Sequence, residues 1–233
     1  FKELDVLSDG FALALISMGV EKGDRVGIYL QNCPQFVIGF YGILKIGGIV
    51  VACNPMFKKM ELEHTIKDAG IDTLLLENTL SSVLEAIDRA SIPNNIITTC
   101  FTDYIPAKPS WPIHETMKVK KHKMTGTMDF QEIIDQEIRR SDPGQDICAT
   151  IDLENDVALL QYTSGTTGTP KGAMITHKNL AIHGQIVRHY YQYKSEDVHL
   201  LVLPMFHVTG LDIAMNPALA QGSTLVMFAR FDL

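Results

Sequence analysis

The sequence predicts an α/β fold with a mostly parallel sheet and helices on both faces. Helix-like and strand-like patterns alternate from the start, with an amphipathic helix over 3–19, a strand over 25–30 and a second helix over 34–46. The run Ile49–Cys53 is apolar throughout, which is typical of a strand covered on both faces. Alternating strands and helices favour parallel pairing with right-handed crossovers.

The same alternation continues into the middle of the chain. Residues 102–127 interrupt it with prolines and a cluster of lysines. We interpret this stretch as a surface insertion rather than as a patch for nucleic acid or an anionic membrane. Residues 128–140 return to a helical pattern. The elements before the interruption are a helix near 58–69, a strand at Ile71–Glu77, a helix near 81–90 and a strand at Ile96–Phe101.

Composition excludes several classes of protein. The chain has 233 residues, 46% of them hydrophobic, which is ordinary for a globular core and excludes wholesale disorder. Its 27 acidic and 20 basic side chains give a net charge of −7, so non-specific nucleic-acid binding is disfavoured. Four cysteines without a C-x-x-C spacing and eight histidines without an H-E-x-x-H pattern predict neither a disulfide framework nor a metal site made from protein side chains alone.

The sequence predicts neither a secretory signal nor a transmembrane segment. It opens with the polar, mixed-charge residues Phe1–Asp5 and no initiator methionine, which indicates an excised piece. The one membrane candidate, Phe36–Cys53, is interrupted by Lys45 and Gly47–Gly48, whereas a spanning helix needs about 20 apolar residues. We therefore interpret it as a buried helix followed by a buried strand. Reduced cysteines and the missing signal together favour a cytoplasmic protein.

A segment rich in glycine and hydroxyl side chains lies between two apolar strands. Residues Thr163–Gly172 contain three glycines, four threonines, one serine and Lys171, and the strands are Val157–Tyr162 and Ala173–Ile175. Glycines let backbone N–H groups turn toward an anion, hydroxyls add donors and lysine adds a positive charge. In an acidic chain this composition predicts a local phosphate-binding loop, with a ligand-free hairpin as the alternative.

Two other motifs fit this loop less well. A Walker A loop has glycine before its lysine and Ser or Thr after it, but Pro170 and Gly172 occupy those positions. The segment also leads into a strand, so no helix N-terminus supports the phosphates. A nucleophile elbow has glycines two residues on either side of its serine, whereas Ser164 has Tyr162 and Thr166 there. A P-loop kinase and a serine hydrolase are therefore disfavoured.

The segment Tyr162–Gly172 closely resembles the phosphate-loop motif of the acyl-adenylate-forming superfamily of AMP-binding enzymes. This superfamily includes acyl-CoA ligases, adenylation domains of peptide synthetases and luciferases. Asn54-Pro55 with Glu61–His64 after it is more similar to fatty acyl-CoA ligases than to the peptide-synthetase domains. The resemblance covers essentially the whole chain, and its other segments are Gly19–Val26, Leu44–Gly48 and Leu203–Leu211.

The resemblance implies that residues 1–233 are part of the N-terminal AMP-binding domain of the luciferase-like acyl-CoA synthetase fold, without the C-terminal domain. It implies an ATP-dependent ligase that activates a carboxylic acid, here a medium- or long-chain fatty acid, as an acyl-adenylate and transfers it to coenzyme A. ATP, Mg²⁺ and coenzyme A are the implied cofactor and co-substrates. The contacts to adenine, ribose and Mg²⁺ would lie outside this chain, so we expect the fragment alone to be inactive.

Individual roles follow from the same resemblance. His207 would be catalytic, near the carboxylate or the acyl pocket, and the alternative is a half-buried structural histidine. Gly210 would permit close backbone approach to the substrate, with a plain turn as the alternative. The residues implied in binding the β- and γ-phosphates are Thr163, Ser164, Gly165, Thr166, Thr167, Gly168 and Lys171.

Two alternatives stay open. In one, the intact protein adenylates an amino or aryl acid, because the residues that would line the acyl pocket mostly lie beyond this chain. In the other, the chain is a non-catalytic nucleotide-binding module. The sequence also leaves open the oligomeric state, including a homodimer, and peripheral association with membranes. No nucleic-acid partner is predicted.

Overall fold

The computed structural model of the protein describes residues 1–106, 108–109, 118, 121, 124–141, 147–163 and 170–229. Within them, strands and helices alternate as the sequence predicts. The helices are α1 (Lys2–Ser17), α2 (Pro34–Lys45), α3 (Lys59–Ala69), α4 (Ser81–Glu85), α5 (Phe130–Arg140), α6 (His177–Tyr190) and α7 (Asn216–Gln221). The strands are β1 (Arg25–Tyr29), β2 (Ile49–Ala52), β3 (Thr73–Glu77), β4 (Asn95–Thr99), β5 (Met128–Asp129), β6 (Val157–Tyr162), β7 (Gly172–Thr176), β8 (Val198–Leu201) and β9 (Thr224–Met227).

Seven of these strands form one sheet in the order β5-β4-β3-β1-β2-β6-β7. Every neighbouring pair is parallel except β6–β7, which is antiparallel. Strands β8 and β9 pair in parallel in a separate two-stranded sheet. The mostly parallel sheet is therefore confirmed. Because parallel strands share a direction, their carboxyl ends lie along one edge, where ligands of open α/β sheets bind.

Helices cover both faces of the large sheet, because successive side chains of a strand point to opposite sides. On one face Val26 and Ile28 of β1 are buried in an apolar cluster with Phe11 of α1 and Phe36 of α2. On the other face Tyr29 of β1 belongs to a second apolar cluster with residues of α3 and α4. The prediction of helices on both faces is confirmed.

The helix predicted over 128–140 needs correction at its start. Met128–Asp129 forms the short edge strand β5 beside β4, and α5 begins only at the next residue. The Asp129 carboxylate accepts the backbone N–H groups of Gln131 and Glu132. Asp129 therefore ends the strand and caps the helix at once, a double role that periodicity alone does not reveal.

The helix predicted near 81–90 is also shorter than expected. Helix α4 ends at Glu85, and a separate 3-10 turn follows at Arg89–Ser91. The Asp88 carboxylate accepts the N–H of Ala90 and so competes locally with continuation of the helix. The polar cap, rather than the apolar pattern, decides where this helix stops.

Half of the predicted insertion at 102–127 lies outside the described residues, and the insertion stays a prediction. Its described part includes Lys121, whose ammonium pairs with the carboxylates of Asp103 and Asp129. Among the described residues, no helix has both the length and the apolar character needed to cross a membrane. The membrane candidate 36–53 divides into helix α2 and strand β2, as predicted.

The four cysteines differ in their burial. Cys33, Cys53 and Cys100 are buried, and Cys148 is exposed. Burial raises the pKa of Cys33 and of Cys53 to about 12, so both are protonated at neutral pH. A protonated, buried thiol is a poor nucleophile, which argues against thiol chemistry at these two positions.

Candidate functional site

The ends of the predicted phosphate loop are held together by the antiparallel strands β6 and β7. Tyr162 is paired with Gly172, and the Thr163 N–H donates to the Lys171 carbonyl over 3.1 Å. The loop therefore connects two strands rather than a strand and a helix, as the sequence predicts, which also argues against a Walker A loop. Of the predicted phosphate ligands, Ser164, Gly165, Thr166, Thr167 and Gly168 lie outside the described residues.

Thr163 and Lys171, the two predicted phosphate ligands among the described residues, lie at the carboxyl edge of the sheet. Thr163 directly follows β6, and β6 runs parallel to β2, so Thr163 stands at the carboxyl ends of the parallel strands. Thr163 and Lys171 are both exposed. No carboxylate of the described residues forms an ion pair with the Lys171 ammonium, in contrast to Lys178 on the next helix, which pairs with Glu154. The Lys171 charge is therefore available to an incoming anion.

The side chain of His207 is exposed, which contradicts the alternative of a half-buried structural histidine. Its Nδ1 accepts the backbone N–H of Thr209 over 3.2 Å and lies 3.0 Å from the Thr209 hydroxyl. Because Nδ1 is an acceptor, the neutral ring carries its proton on Nε2. The local turn thus leaves His207 with an N–H donor directed away from its own backbone contacts.

Gln161 joins the base of the phosphate loop to the segment that carries His207. This side chain of β6 is buried, and its Nε2 donates to the Phe206 carbonyl over 3.0 Å. Gln161 belongs to the seven-stranded sheet, whereas Phe206 follows strand β8 of the two-stranded sheet. The structure therefore brings the loop base and the His207 segment into one place.

Asn32 is a second residue of this region that the sequence reasoning missed. It follows β1 at the carboxyl edge and is buried. Its Nδ2 donates to the Leu203 carbonyl over 2.9 Å, and its Oδ1 accepts the Met205 N–H over 2.7 Å. A polar residue just after a buried strand was the available signal, but it belongs to no recognisable motif. Asn32 fixes the backbone that leads to His207.

Replacing Asn32 by alanine should destabilise the protein by about 2–4 kcal/mol, because the buried Met205 N–H and the partly buried Leu203 carbonyl lose their partner. Urea unfolding at constant slope measures the change. The matched control is Asn94→Ala, which removes an exposed bond to Asp72 and should cost less than about 1 kcal/mol. Equal losses in the two variants would contradict the anchoring role of Asn32.

Gly210 lies in a π-helical turn, Thr209–Met215, just after His207. A Cβ atom placed on it would stand 2.1 Å from the Pro204 carbonyl oxygen. The close approach that requires glycine is therefore to the chain's own backbone, which supports the turn interpretation over substrate contact. π-Helical segments are rare and concentrate at functional sites.

A polar network ties this turn to helices α6 and α2. His183 Nδ1 and Asp212 Oδ2 are 2.8 Å apart, and Asp212 is buried. Burial raises the pKa of the Asp212 carboxyl, and the nearby His183 partly offsets that effect. Asn216 donates to Asp212 over 3.3 Å and accepts the Tyr41 hydroxyl over 3.0 Å. The turn after His207 is thus anchored from two sides.

Comparison with known proteins gives matches along the full chain. The family model described as AMP-binding enzyme matches residues 1–233. A long-chain-fatty-acid–CoA ligase of Bacillus subtilis (strain 168) is 35% identical over 98% of this chain, which spans 41% of that enzyme. The 4-coumarate–CoA ligase 3 of Oryza sativa subsp. japonica is 29% identical over 100% of this chain and 38% of its own length.

Solved structures show the same fold. A long-chain-fatty-acid-CoA ligase from Archaeoglobus fulgidus superposes with a TM-score of 0.81 at 24% identity and covers 100% of this chain. The anthranilate CoA ligase AuaEII in complex with anthranoyl-AMP superposes with a TM-score of 0.81 at 22% identity and covers 98%. The chain spans 40% of each of these proteins. Because the family model matches every residue, the chain belongs to the AMP-binding enzyme family.

Proposed function

We propose that the intact protein is an ATP-dependent acid–thiol ligase that activates a medium- or long-chain fatty acid and transfers it to coenzyme A. The observation that carries the proposal is the hydroxyl-rich loop between β6 and β7, with the exposed Lys171 ammonium at its exit. Family membership and the fatty-acid ligase among the similar proteins support it. The chain spans less than half of those proteins, so the activity is proposed for the whole protein.

The chemistry has two balanced steps. A carboxylate oxygen attacks the α-phosphorus of ATP, and the bond to pyrophosphate breaks to give the acyl-adenylate. The thiol of coenzyme A then attacks the acyl carbon, loses its proton and displaces AMP. The first step depends chiefly on positioning and on stabilising the charge of the leaving pyrophosphate.

The chain's own residues supply donors for the first step. The Thr163 hydroxyl and the Lys171 ammonium would contact the β- and γ-phosphates, together with Ser164, Gly165 and 166–168 of the loop. The Thr163 N–H already donates to the Lys171 carbonyl, so its hydroxyl is the group left for the ligand. His207 would use its Nε2–H to orient the substrate carboxylate.

Magnesium is predicted for the reaction because hydroxyls and one lysine do not neutralise a triphosphate. When bound, the ion would reduce repulsion between phosphate oxygens and the attacking carboxylate. The described residues contain no group of three His, Cys, Asp or Glu side chains that could hold a metal ion. Mg²⁺ is usually held by substrate phosphates with one or two carboxylates rather than by a cage of protein side chains, so no step is assigned to it at the described residues.

A second candidate substrate class is favoured by a specific observation. A 4-coumarate–CoA ligase of Oryza sativa subsp. japonica is 29% identical to this chain, compared with 35% for the long-chain-fatty-acid–CoA ligase of Bacillus subtilis. An aryl or amino acid thus remains the alternative substrate, and a non-catalytic nucleotide-binding module remains the alternative from another class. We keep the fatty acid because Asn54-Pro55 and Glu61–His64 resemble that branch. A cytoplasmic location and a homodimer remain predictions.

ATP–pyrophosphate exchange on the intact protein tests the proposal. We expect exchange with dodecanoate and hexadecanoate, and thioester formation when coenzyme A is added. Faster exchange with 4-coumarate, anthranilate or an amino acid would replace the proposed substrate. Absence of exchange with every acid, in a protein that still binds ATP, would favour the non-catalytic module. The 233-residue chain alone should give no exchange.

A further inference from the structure

We infer that helix α3 is a positioning element for nucleotide binding, in which Asp68 and His64 hold the two ends of the phosphate loop at a fixed separation. This inference rests on the proposed function, because it assigns a task to residues outside the loop. All its contacts lie among described residues. Asp68 and His64 are positioning residues, since they act through Tyr162 and Pro170 rather than on the nucleotide.

The first contact holds the end of β6. The Tyr162 hydroxyl donates to Asp68 Oδ2 over 2.6 Å. Burial and the neighbouring Asp68 carboxylate both raise the pKa of Tyr162, so the phenol stays protonated and remains a donor. The ring of Tyr162 also lies over Gly172, where a Cβ would stand 3.1 Å from it. Tyr162 is thus fixed by its hydroxyl on α3 and by its ring on the start of β7.

The second contact holds the other end of the loop. His64 Nε2 lies 3.2 Å from the Pro170 carbonyl oxygen. A carbonyl only accepts, so the histidine donates this bond. Pro170 has no N–H and therefore cannot donate a backbone bond to β6 as Thr163 donates one to Lys171. The α3 contact replaces that missing restraint next to Lys171.

Helix α3 is itself anchored to the protein core, so it can hold the loop ends in place. Its inner face buries Leu62 and Ile66 in the second apolar cluster, which also contains Tyr29 of β1. At its C-terminal end, Arg25 Nε donates to the Ala69 carbonyl over 2.9 Å. The two α3 residues that contact the loop lie one turn apart on this helix. They therefore hold the loop ends in a fixed position relative to the core.

A fixed helix α3 would favour ATP binding because it keeps the hydrogen-bond donors of the phosphate loop in place before the ligand arrives. If the loop ends are not fixed, they must become ordered when the triphosphate binds, and the conformational entropy lost then reduces the affinity. Fixing both ends reduces the ordering left to the ligand and keeps the donors aimed at the phosphates. Loss of an α3 contact should therefore weaken ATP binding and leave affinity for the carboxylic acid unchanged.

The variants Tyr162→Phe and His64→Leu test each contact separately in the intact protein. Each removes one donor while keeping an apolar side chain. We expect the KM for ATP in pyrophosphate exchange, and the ATP Kd from calorimetry, to rise about three- to tenfold, as for loss of one hydrogen bond. The KM for the acid should stay within about twofold of the original. An unchanged ATP Kd in both variants would overturn the inference.

Conservative variants and a matched control separate positioning from folding. Asp68→Asn keeps an acceptor for Tyr162 and should restore most of the ATP affinity lost in Asp68→Ala. Combining Tyr162→Phe with Asp68→Ala should add little to either single change, because both remove the same bond. Lys67→Ala lies on the same helix, pairs with Glu63 and should not alter the ATP Kd. Additive losses, or a loss in the control, would overturn the inference.

The proposed function and the α3 inference fail in different ways. Wild-type protein that gives no exchange with any acid contradicts the proposed function. Wild-type protein that gives exchange, with α3 variants identical to it in ATP KM and Kd, contradicts the inference alone. A parallel rise in the KM for ATP and for the acid would show general distortion and would also overturn it.

Discussion

The Gly210→Ala variant should be destabilised by about 3 kcal/mol or more and should lose the ordered position of His207. The added Cβ would stand 2.1 Å from the Pro204 oxygen, 2.4 Å from its carbonyl carbon and 2.7 Å from the Leu203 oxygen. All three are backbone atoms, so no side-chain rotation relieves the clash. The Pro204 oxygen also accepts the His207 N–H over 3.1 Å, and moving that oxygen breaks this bond.

Urea unfolding and adenylation activity of the intact protein both report the effect. The matched control is Gly184→Ala in helix α6, where the nearest atom to the new Cβ is the Asn216 amide nitrogen at 3.3 Å. Alanine stabilises a helix interior by about 1 kcal/mol relative to glycine, and this gain opposes the cost of the close contact with Asn216. The control should therefore change stability little. A Gly210→Ala protein as stable and as active as Gly184→Ala would contradict the tight backbone turn.

The parallel sheet was predictable because its determinants are local. Within the apolar run Ile49–Cys53, strand β2 buries Val50 on one face of the sheet and Val51 on the other, and Gly47, with φ +70°, ends the preceding helix where predicted. The predicted bounds of two helices were wrong. These bounds also depend on local sequence, but on single polar side chains. Asp129 caps a helix that begins at Phe130 rather than at residue 128, and Asp88 ended another helix early. Periodicity averages over such residues and therefore misses them.

The site was predictable only where a motif carried it. The composition of the loop and the position of His207 were readable from consecutive residues. Asn32 and Leu203 are 171 residues apart, and Gln161 and Phe206 are 45 apart, so their hydrogen bonds have no local signature. Strand β8 pairs with β9 outside the large sheet, which the alternating pattern did not foresee. These contacts depend on packing between residues far apart in the chain, and a short segment of sequence shows no pattern that predicts them.

The Lys171→Ala variant should lower kcat/KM for ATP in pyrophosphate exchange by about 100-fold, comparable with loss of one preorganised donor to a developing negative charge. Its ammonium is exposed at the loop exit and has no ion pair with any carboxylate of the described residues. The free energy of unfolding should change by less than about 0.5 kcal/mol, because nothing packed is removed. Urea unfolding alongside the exchange assay measures both quantities.

Two further lysine variants decide whether charge or geometry acts at this position. Lys171→Arg keeps the charge on a planar group, so it should recover part of the activity but not all of it. Lys178→Ala removes an exposed lysine that already pairs with Glu154, and it should leave exchange unchanged. Equal activities of Lys171→Ala and Lys178→Ala would contradict the predicted role of the Lys171 charge. The loop would then bind phosphate through its backbone and hydroxyl donors alone. A full loss in Lys171→Arg would instead show that the compact ammonium is required, since only its shape differs in that variant.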